Sequence, residues 1–315
     1  MRSESEGRLV NLLPSGTPND VYAAVSERTV ELVQADLLSE DEVVRALAAI
    51  WLGYGITRSV VKRQVMTFVY GSKSFGFSRQ ILSDLMRPIT RAVALGQLDS
   101  HTFGDDDGRA AAGYLAKAVY RAIQGVVPGA YQAMEWIQAE ARVLVREGHH
   151  MYWRSPCGMP VVHRYYERES VRLSLFLTEG YLAFNKKEEE GRARLYFSRQ
   201  SKRLNKYTQV SAAPPNVVHS LDAAHLHLTT VACAEEGITD LAMIHDSFGS
   251  HAGHVERLGQ ITREQFVEMY QNYNVFKQIR RQSLKVIREP SELRPLPTLG
   301  DLELPQVLSS PYFFS

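Results

Sequence analysis

The chain has 315 residues, enough for one or two domains around a sizeable core. Apolar residues make up 44% and charged residues 23%, which excludes a disordered chain and fits an ordinary globular one. The net charge of +1 carries no information about a polyanionic partner, which only a local basic surface would bind.

The two cysteines, Cys157 and Cys233, lie far apart with no zinc-type spacing, so a reduced cytosolic compartment is the simple reading. No run of about 18 apolar residues appears, so no membrane span is expected. The opening "MRSESEGRLV" lacks the apolar core of a signal peptide and is too short and acidic for a transit peptide.

In chain order, Thr17-Pro18 reads as an N-cap and first helical turn, opening a helix to about Asp36. "SEDE" at 39–42 matches a capping box and opens a second helix, running to Gly53 and Gly55. Thr57 caps a third, reaching about Val69. "FGDDDG" at 103–108 is a polar break, followed by one long helical stretch from Gly113 to about Glu147. "VRLSLFLTEGYLAF" at 171–184 alternates around Thr-Glu-Gly and predicts a hairpin. The charged stretch 185–207 reads as a loop. Between residues 186 and 206 it holds eight Lys or Arg against three Glu. Pro214-Pro215 starts a helix to about Glu236. "DLAMIHDSFGS" reads as strand, turn and return strand, and a last helix covers about 262–287. The tail from Pro290 is proline-rich, and no internal repeat is present.

Two features carry chemistry. In "TRSVVKRQVMTFVYGSKSFGF" (57–77), a helix turning about 100° per residue puts Arg58 and Lys62 on one face. Tyr70 follows about 12 Å further along the axis, roughly the length of a stretched nucleoside triphosphate. Arg as a fork and Lys as a point charge suit phosphates, and an aromatic ring suits a base. Gly71 lets the chain leave the helix and lets another group approach its backbone. The bland alternative is a solvated basic face. The second feature is Asp246, a carboxylate on a turn after the apolar "LAMI". Such a group can hold Mg²⁺. The alternative is a turn aspartate bonding its own backbone.

Taken together, these stretches resemble the single-subunit RNA polymerases of bacteriophages and mitochondria. Residues 57–77 look like that family's fingers-helix motif. "PPNVVHSLDAAHL" and "LAMIHDSFGS" look like the following helix and the palm turn bearing the second catalytic aspartate. "VNLLPSGTPNDVY" is similar to the segment after the first catalytic aspartate, and "GDLELPQVLSSPYFFS" to the carboxy-terminal tail. Related DNA polymerases usually carry Phe where Met66 stands, and end the palm turn His-Asp-Glu where this chain has His245-Asp246-Ser247. Both differences favour RNA synthesis.

The resemblance implies an α+β fold with a right-hand polymerase architecture: mostly helical fingers and a small antiparallel palm sheet. The implied divisions are 1–38 beside the palm, 39–160 as fingers, 161–210 as promoter-reading hairpin and basic loop, and 211–315 as palm with tail. Arg58 and Lys62 would hold the triphosphate, with Lys62 also a candidate acid toward pyrophosphate. Tyr70 would sit by base and sugar, with Gly71 packed close to the nascent pair. Tyr22 and His219 match positions that help distinguish ribose from deoxyribose. Asp246 would be the Mg²⁺ ligand, and Arg172 and Ser174 of the hairpin would read DNA. Implied partners are the DNA template and promoter, nascent RNA and NTPs, with no membrane. The implied setting is the cytoplasm of a phage-infected or prophage-bearing host, ahead of a mitochondrial one.

The motif with the first catalytic aspartate is not found, nor are the amino-terminal domain and thumb. The expectation is therefore a carboxy-terminal portion that needs an upstream part, on the same or a separate chain, for activity. The alternative is a non-catalytic nucleic-acid-binding remnant. The basic stretch 186–206, with Tyr196, Phe197 and nearby Tyr207, suits phosphates and bases or simply solvent. His219, Asp222 and His225 fall on one helical arc, where an ordinary structural role is preferred to a metal site.

Overall fold

Asp20, not Thr17, opens the first long helix. Its carboxylate accepts from the backbone N–H groups of Tyr22 (2.8 Å) and Ala23 (3.2 Å). An Asx cap at that position satisfies two donors that the more distant Thr17 cannot reach. The computed structural model describes residues 1–176, 192–244 and 246–313.

The helical part begins with α1 (Glu4–Leu9), α2 (Val21–Asp36) and α3 (Glu42–Tyr54). α3 is capped by Asp41 rather than Ser39, whose hydroxyl instead accepts from the Asp41 N–H. α4 (Arg58–Phe68) starts after Thr57 as the sequence suggests, although Thr57 makes no side-chain cap bond. Then come α5 (Ser74–Ile81), a π-turn at Leu82–Met86 and α6 (Arg87–Ala94), none of which the sequence pattern announced. The long helical stretch expected after Gly113 is two helices, α7 (Arg109–Val126) and α8 (Pro128–Arg146). Pro128 lacks the N–H that a continuing helix would need, and it sits in the first turn of the new one.

Residues of α2, α3, α4, α5 and α7 share one core, with Trp51, Phe68, Phe77 and Leu115 fully or almost fully buried. Trp51 donates from Nε1 to the Ala111 carbonyl at 2.9 Å, so its one polar atom is satisfied. A second core joins α8 to the later chain through Trp136, Leu144, Trp153, Phe276 and Ile279.

Among the described residues, three antiparallel strand pairs follow. β1 (Met151–Arg154) pairs with β2 (Pro160–His163). β3 (Tyr166–Phe176) pairs with β4 (Arg192–Leu204), from Arg168↔Gln200 to Phe176↔Arg192. This corrects two expectations. Residues 171–176 pair with 192–197 rather than folding back at Thr178-Glu179-Gly180, a turn that lies outside the described residues. Most of the stretch read as a charged loop is strand β4. Its alternating Ala193, Leu195 and Phe197 carry the strand period, which the arginines between them disguise. β5 (Leu241–Ile244) pairs with β6 (Ser247–Ser250), the strand–turn–strand expected there.

The helices α9 (Lys206–Ser211) and α10 (Ala213–Glu235) precede β5, and α10 opens on its two prolines as anticipated. The last expected helix is again two, α11 (Val255–Asn272) and α12 (Val275–Ser283). Asn274 turns extended between them and caps α12 by accepting from the Lys277 N–H at 3.0 Å. The tail returns to the start of the chain. Gly300 N–H donates to the Met1 carbonyl (2.8 Å), Leu302 N–H to the Arg2 carbonyl (3.0 Å), and Ser310 Oγ to the Asn11 carbonyl (2.7 Å). Nearby, the Glu6 carboxylate caps α8, accepting from Gly129 (2.6 Å) and Ala130 (3.1 Å). No described helix is long and apolar enough to cross a membrane. The molecule is thus mostly helical with small antiparallel sheets.

Candidate functional site

α4 has two faces. Val61, Gln64, Val65 and Phe68 recur at helical spacing and are buried, anchoring the helix in the first core. The opposite stripe, Arg58, Lys62 and Met66, is exposed. The sequence therefore fixes which way the cations point.

Tyr22 from the first turn of α2 meets that stripe. The Arg58 guanidinium lies 5.1 Å from the Tyr22 ring centroid and the Lys62 ammonium 5.8 Å from it. Both distances are within cation–π range. Arg58 Nε also donates to Asp20 Oδ2. Asp20 thus caps α2 and holds Arg58 at once. Burial pushes its carboxyl upward, but the Arg58 guanidinium and the N–H groups of Ala23 and Tyr22 outweigh that and leave it below its ordinary value. Arg58 stands at the positive end of α4, where a cation is unfavourable, and Asp20 offsets this. Among the described residues Lys62 makes no hydrogen bond or ion pair, so its three donors remain available.

The chain leaves α4 at Val69, and Tyr70 stacks on His219 of α10 with centroids 4.8 Å apart and planes 9° apart. Gly71 follows at φ +85°, and a Cβ there would lie 3.0 Å from the Ser211 carbonyl oxygen. The neighbour that Gly71 admits in this structure is protein backbone.

Asp246 sits on the exposed turn between β5 and β6. Among the described residues it makes no hydrogen bond or ion pair, neither to its own turn nor to the α4 cluster. β6 carries Phe248 into a small core with Leu258 and Ile261 of α11. The Tyr70–His219 stack ties the end of α4 to α10, the helix that leads to this hairpin.

The donor set for Mg²⁺ is thin. Asp246 offers a hard carboxylate of the right class, but no group of three or more His, Cys, Asp or Glu among the described residues could hold a metal ion. His225 does not join His219 in one. Its imidazole is buried, with Nε2 2.8 Å from the Thr262 carbonyl. One carboxylate does not make a magnesium site, so the described residues alone do not fit the ion.

On the long ribbon, Arg172 is exposed and pairs in register with Tyr196, next to Ser170↔Ser198 and Arg168↔Gln200. Ser174 pairs in backbone register with Arg194, and its side chain lies outside the described residues. The opposite face presents Val171, Leu173, Leu195 and Phe197, also exposed.

The structure therefore brings together Tyr22, Arg58 and Lys62 in one cluster and Tyr70 and His219 in another. It joins Asp246 to neither by direct contact. Asp20 is the neighbour that the sequence reading missed. The signal was present in "TPND", where an aspartate directly before a helix is as good a cap as the threonine upstream.

A family model described as DNA-dependent RNA polymerase matches residues 1–291. The chain is 33% identical to the T7 RNA polymerase of Escherichia phage T7, an alignment covering all of this chain and 38% of that protein. It is 32% identical to DNA-directed RNA polymerase 1, mitochondrial, of Nicotiana sylvestris, covering 97% of this chain and 28% of that one. It is also 32% identical to DNA-directed RNA polymerase 2A of Nicotiana tabacum, covering 97% of this chain and 84% of that protein. The chain thus spans well under half the length of the phage and mitochondrial relatives.

Proposed function

The chain belongs to the DNA-dependent RNA polymerase family, and from that premise we propose that it serves DNA-templated RNA synthesis as the carboxy-terminal part of a right-hand, single-subunit enzyme. The observation that carries this reading is the free Lys62 ammonium beside Arg58 and Tyr22, with the Tyr70–His219 stack just past the far end of the same helix. A guanidinium and an ammonium on one exposed stripe suit a triphosphate, and the aromatic pair at the other end suits a base and sugar.

In the reaction the RNA 3′-hydroxyl attacks the α-phosphorus of the NTP, and pyrophosphate leaves. Arg58 and Lys62 hold the β- and γ-phosphates and stabilise the charge that grows on the leaving group. Lys62 can donate a proton to it. Tyr22 keeps both cations in place, and Tyr22 and His219, from the two clusters, help distinguish ribose from deoxyribose. The β3–β4 ribbon presents Arg172 and Ser174 to the promoter. Residues 39–160 act as fingers and 211–315 as palm. Asp246 would be the carboxylate this chain contributes toward Mg²⁺, the other ligands coming from outside the described residues. Synthesis takes place in the cytoplasm of a phage-infected or prophage-bearing host.

Titration of a fluorescent NTP analogue into the parent and Lys62→Ala tests the site. Loss of a charge-assisted phosphate contact is worth about 1.5–3 kcal/mol, so affinity should fall by roughly 10- to 150-fold. Equal affinity in the two proteins would remove Lys62 from the site. A second reading, a non-catalytic nucleic-acid-binding remnant, is favoured by the single carboxylate at the turn. Incubating the chain with template, four NTPs and Mg²⁺, with and without a candidate upstream part, separates the two. Transcripts that need both parts support the enzyme.

A further inference from the structure

Arg87 and Arg91 stand one turn apart on α6, exposed and on one face. Among the described residues neither makes a hydrogen bond or an ion pair. They line a groove of about 430 Å³ that Arg109, at the start of α7, also lines. They also line a second groove of about 530 Å³ with Ser83 and Gln97. Of the carboxylates close by, Asp84 and Asp106 are engaged elsewhere, while Asp107 lines the first groove beside Arg109. Asp84 pairs with Arg63 (2.6 Å to Oδ2), Asp106 caps α7 by accepting from the Ala110 N–H (2.7 Å), and Asp107 lies 3.9 Å from Arg109. Asp105 is exposed and lines neither groove. The Arg87 and Arg91 guanidiniums are therefore left without a paired carboxylate, three arginines facing the single Asp107 carboxylate of the first groove.

We propose that Arg87 and Arg91, with Arg109 opposite, bind the phosphate backbone of duplex DNA at a site separate from the Arg58–Lys62 cluster. Guanidinium forks match phosphate oxygens two at a time. Two adjoining grooves sharing the same arginines suit an extended polyanion better than a single small anion. No aromatic side chain lines either groove. Binding of single strands relies on stacking platforms, so the surface favours a duplex. The choice of DNA as the polyanion rests on the polymerase reading given above; the charge geometry does not.

The test is fluorescence anisotropy of a labelled DNA duplex of arbitrary sequence with the intact chain, across a salt series. The double variant Arg87→Gln/Arg91→Gln keeps good helix formers at two exposed positions, and unchanged thermal melting verifies its fold. Each lost phosphate contact lowers the slope of log K against log salt by about 0.9, so the double variant should show a slope smaller by about 1.8. Its affinity for the fluorescent NTP analogue should match the parent's. An unchanged slope, or a parent that does not bind the duplex, overturns the proposal. So does displacement of the duplex by inorganic phosphate at constant ionic strength, which would mark a small-anion pocket, or equal loss of an oligo(dT) strand. Lys62→Ala should bind the duplex as the parent does. Failure at the nucleotide site and failure here are thus read in different experiments.

Discussion

The Tyr70 ring lies parallel to the His219 imidazole, 4.8 Å away between centroids. Both side chains are exposed, so buried area contributes little and the contact itself decides the pair's energy. Aromatic pairs contribute about 0.5–1.5 kcal/mol beyond burial. Denaturant unfolding of Tyr70→Leu, His219→Ala and the double variant should give a coupling in that range. A coupling near zero would mean that the two rings adjoin without holding α4 to α10.

Asp20 competes with any phosphate for Arg58. Asn is as good an N-cap as Asp, so Asp20→Asn keeps α2 capped while removing the charge that holds the guanidinium. The pair is about half exposed on the Arg58 side, and exposed pairs are worth about 0.2–1 kcal/mol. Affinity for the NTP analogue should rise by roughly 1.5- to 5-fold, with little change in melting temperature. A fall in affinity would show that Asp20 positions Arg58 for the ligand instead of restraining it.

The Glu140–Arg280 pair is the charged contact with the largest expected effect on stability. Glu140 is 2% exposed and is held by two bonds from Arg280, at 3.1 and 3.0 Å, while the guanidinium also lies over Trp136 at 5.4 Å. Removing Arg280 leaves the Glu140 carboxylate buried and unpaired, whereas Arg280 without Glu140 keeps its bond to the Arg294 carbonyl. Arg280→Met should therefore cost about 3–5 kcal/mol in equilibrium unfolding. A double Glu140→Met/Arg280→Met variant should recover much of that loss.

Stability should fall on mild acidification. Burial lowers the His163 pKa, outweighing the Gln209 carbonyl 2.7 Å from Nε2, while Nδ1 accepts from Asn216 at 2.9 Å. Burial lowers that of His225 in the same way, against the Thr262 carbonyl and Asp222. Both imidazoles stay neutral in the fold below the pH at which the unfolded chain takes up protons, about 6.5. Their contribution is full above that value and is lost as pH drops through it toward the lower folded values. Thermal melts at about pH 7.5 and about pH 5.5 should show the drop, and His163→Gln/His225→Gln should flatten it even as it lowers stability. An equally steep dependence in the variant would place the titrating groups elsewhere.

The cationic stripe was legible in the sequence because helical spacing alone puts Arg58 and Lys62 together while Val61, Val65 and Phe68 turn inward. Their meeting with Tyr22, and that of Tyr70 with His219, was not legible from spacing. Those partners come from helices dozens to more than a hundred residues away, and only the family resemblance suggested them. The breaks before Pro128 and at Asn274 were hidden because the apolar period runs through them almost in phase. Strand β4 was hidden because arginine and lysine interrupt its apolar alternation, so composition spoke louder than period.

The hydrogen bonds from Gly300 and Leu302 to the carbonyls of Met1 and Arg2 join two segments about 300 residues apart. Closing a circuit of that length is slow and entropically unfavourable, so this fastening should form late in folding and open early under stress. Because Glu6 of the same segment caps α8, loosening this pairing would also fray a helix in the middle of the chain.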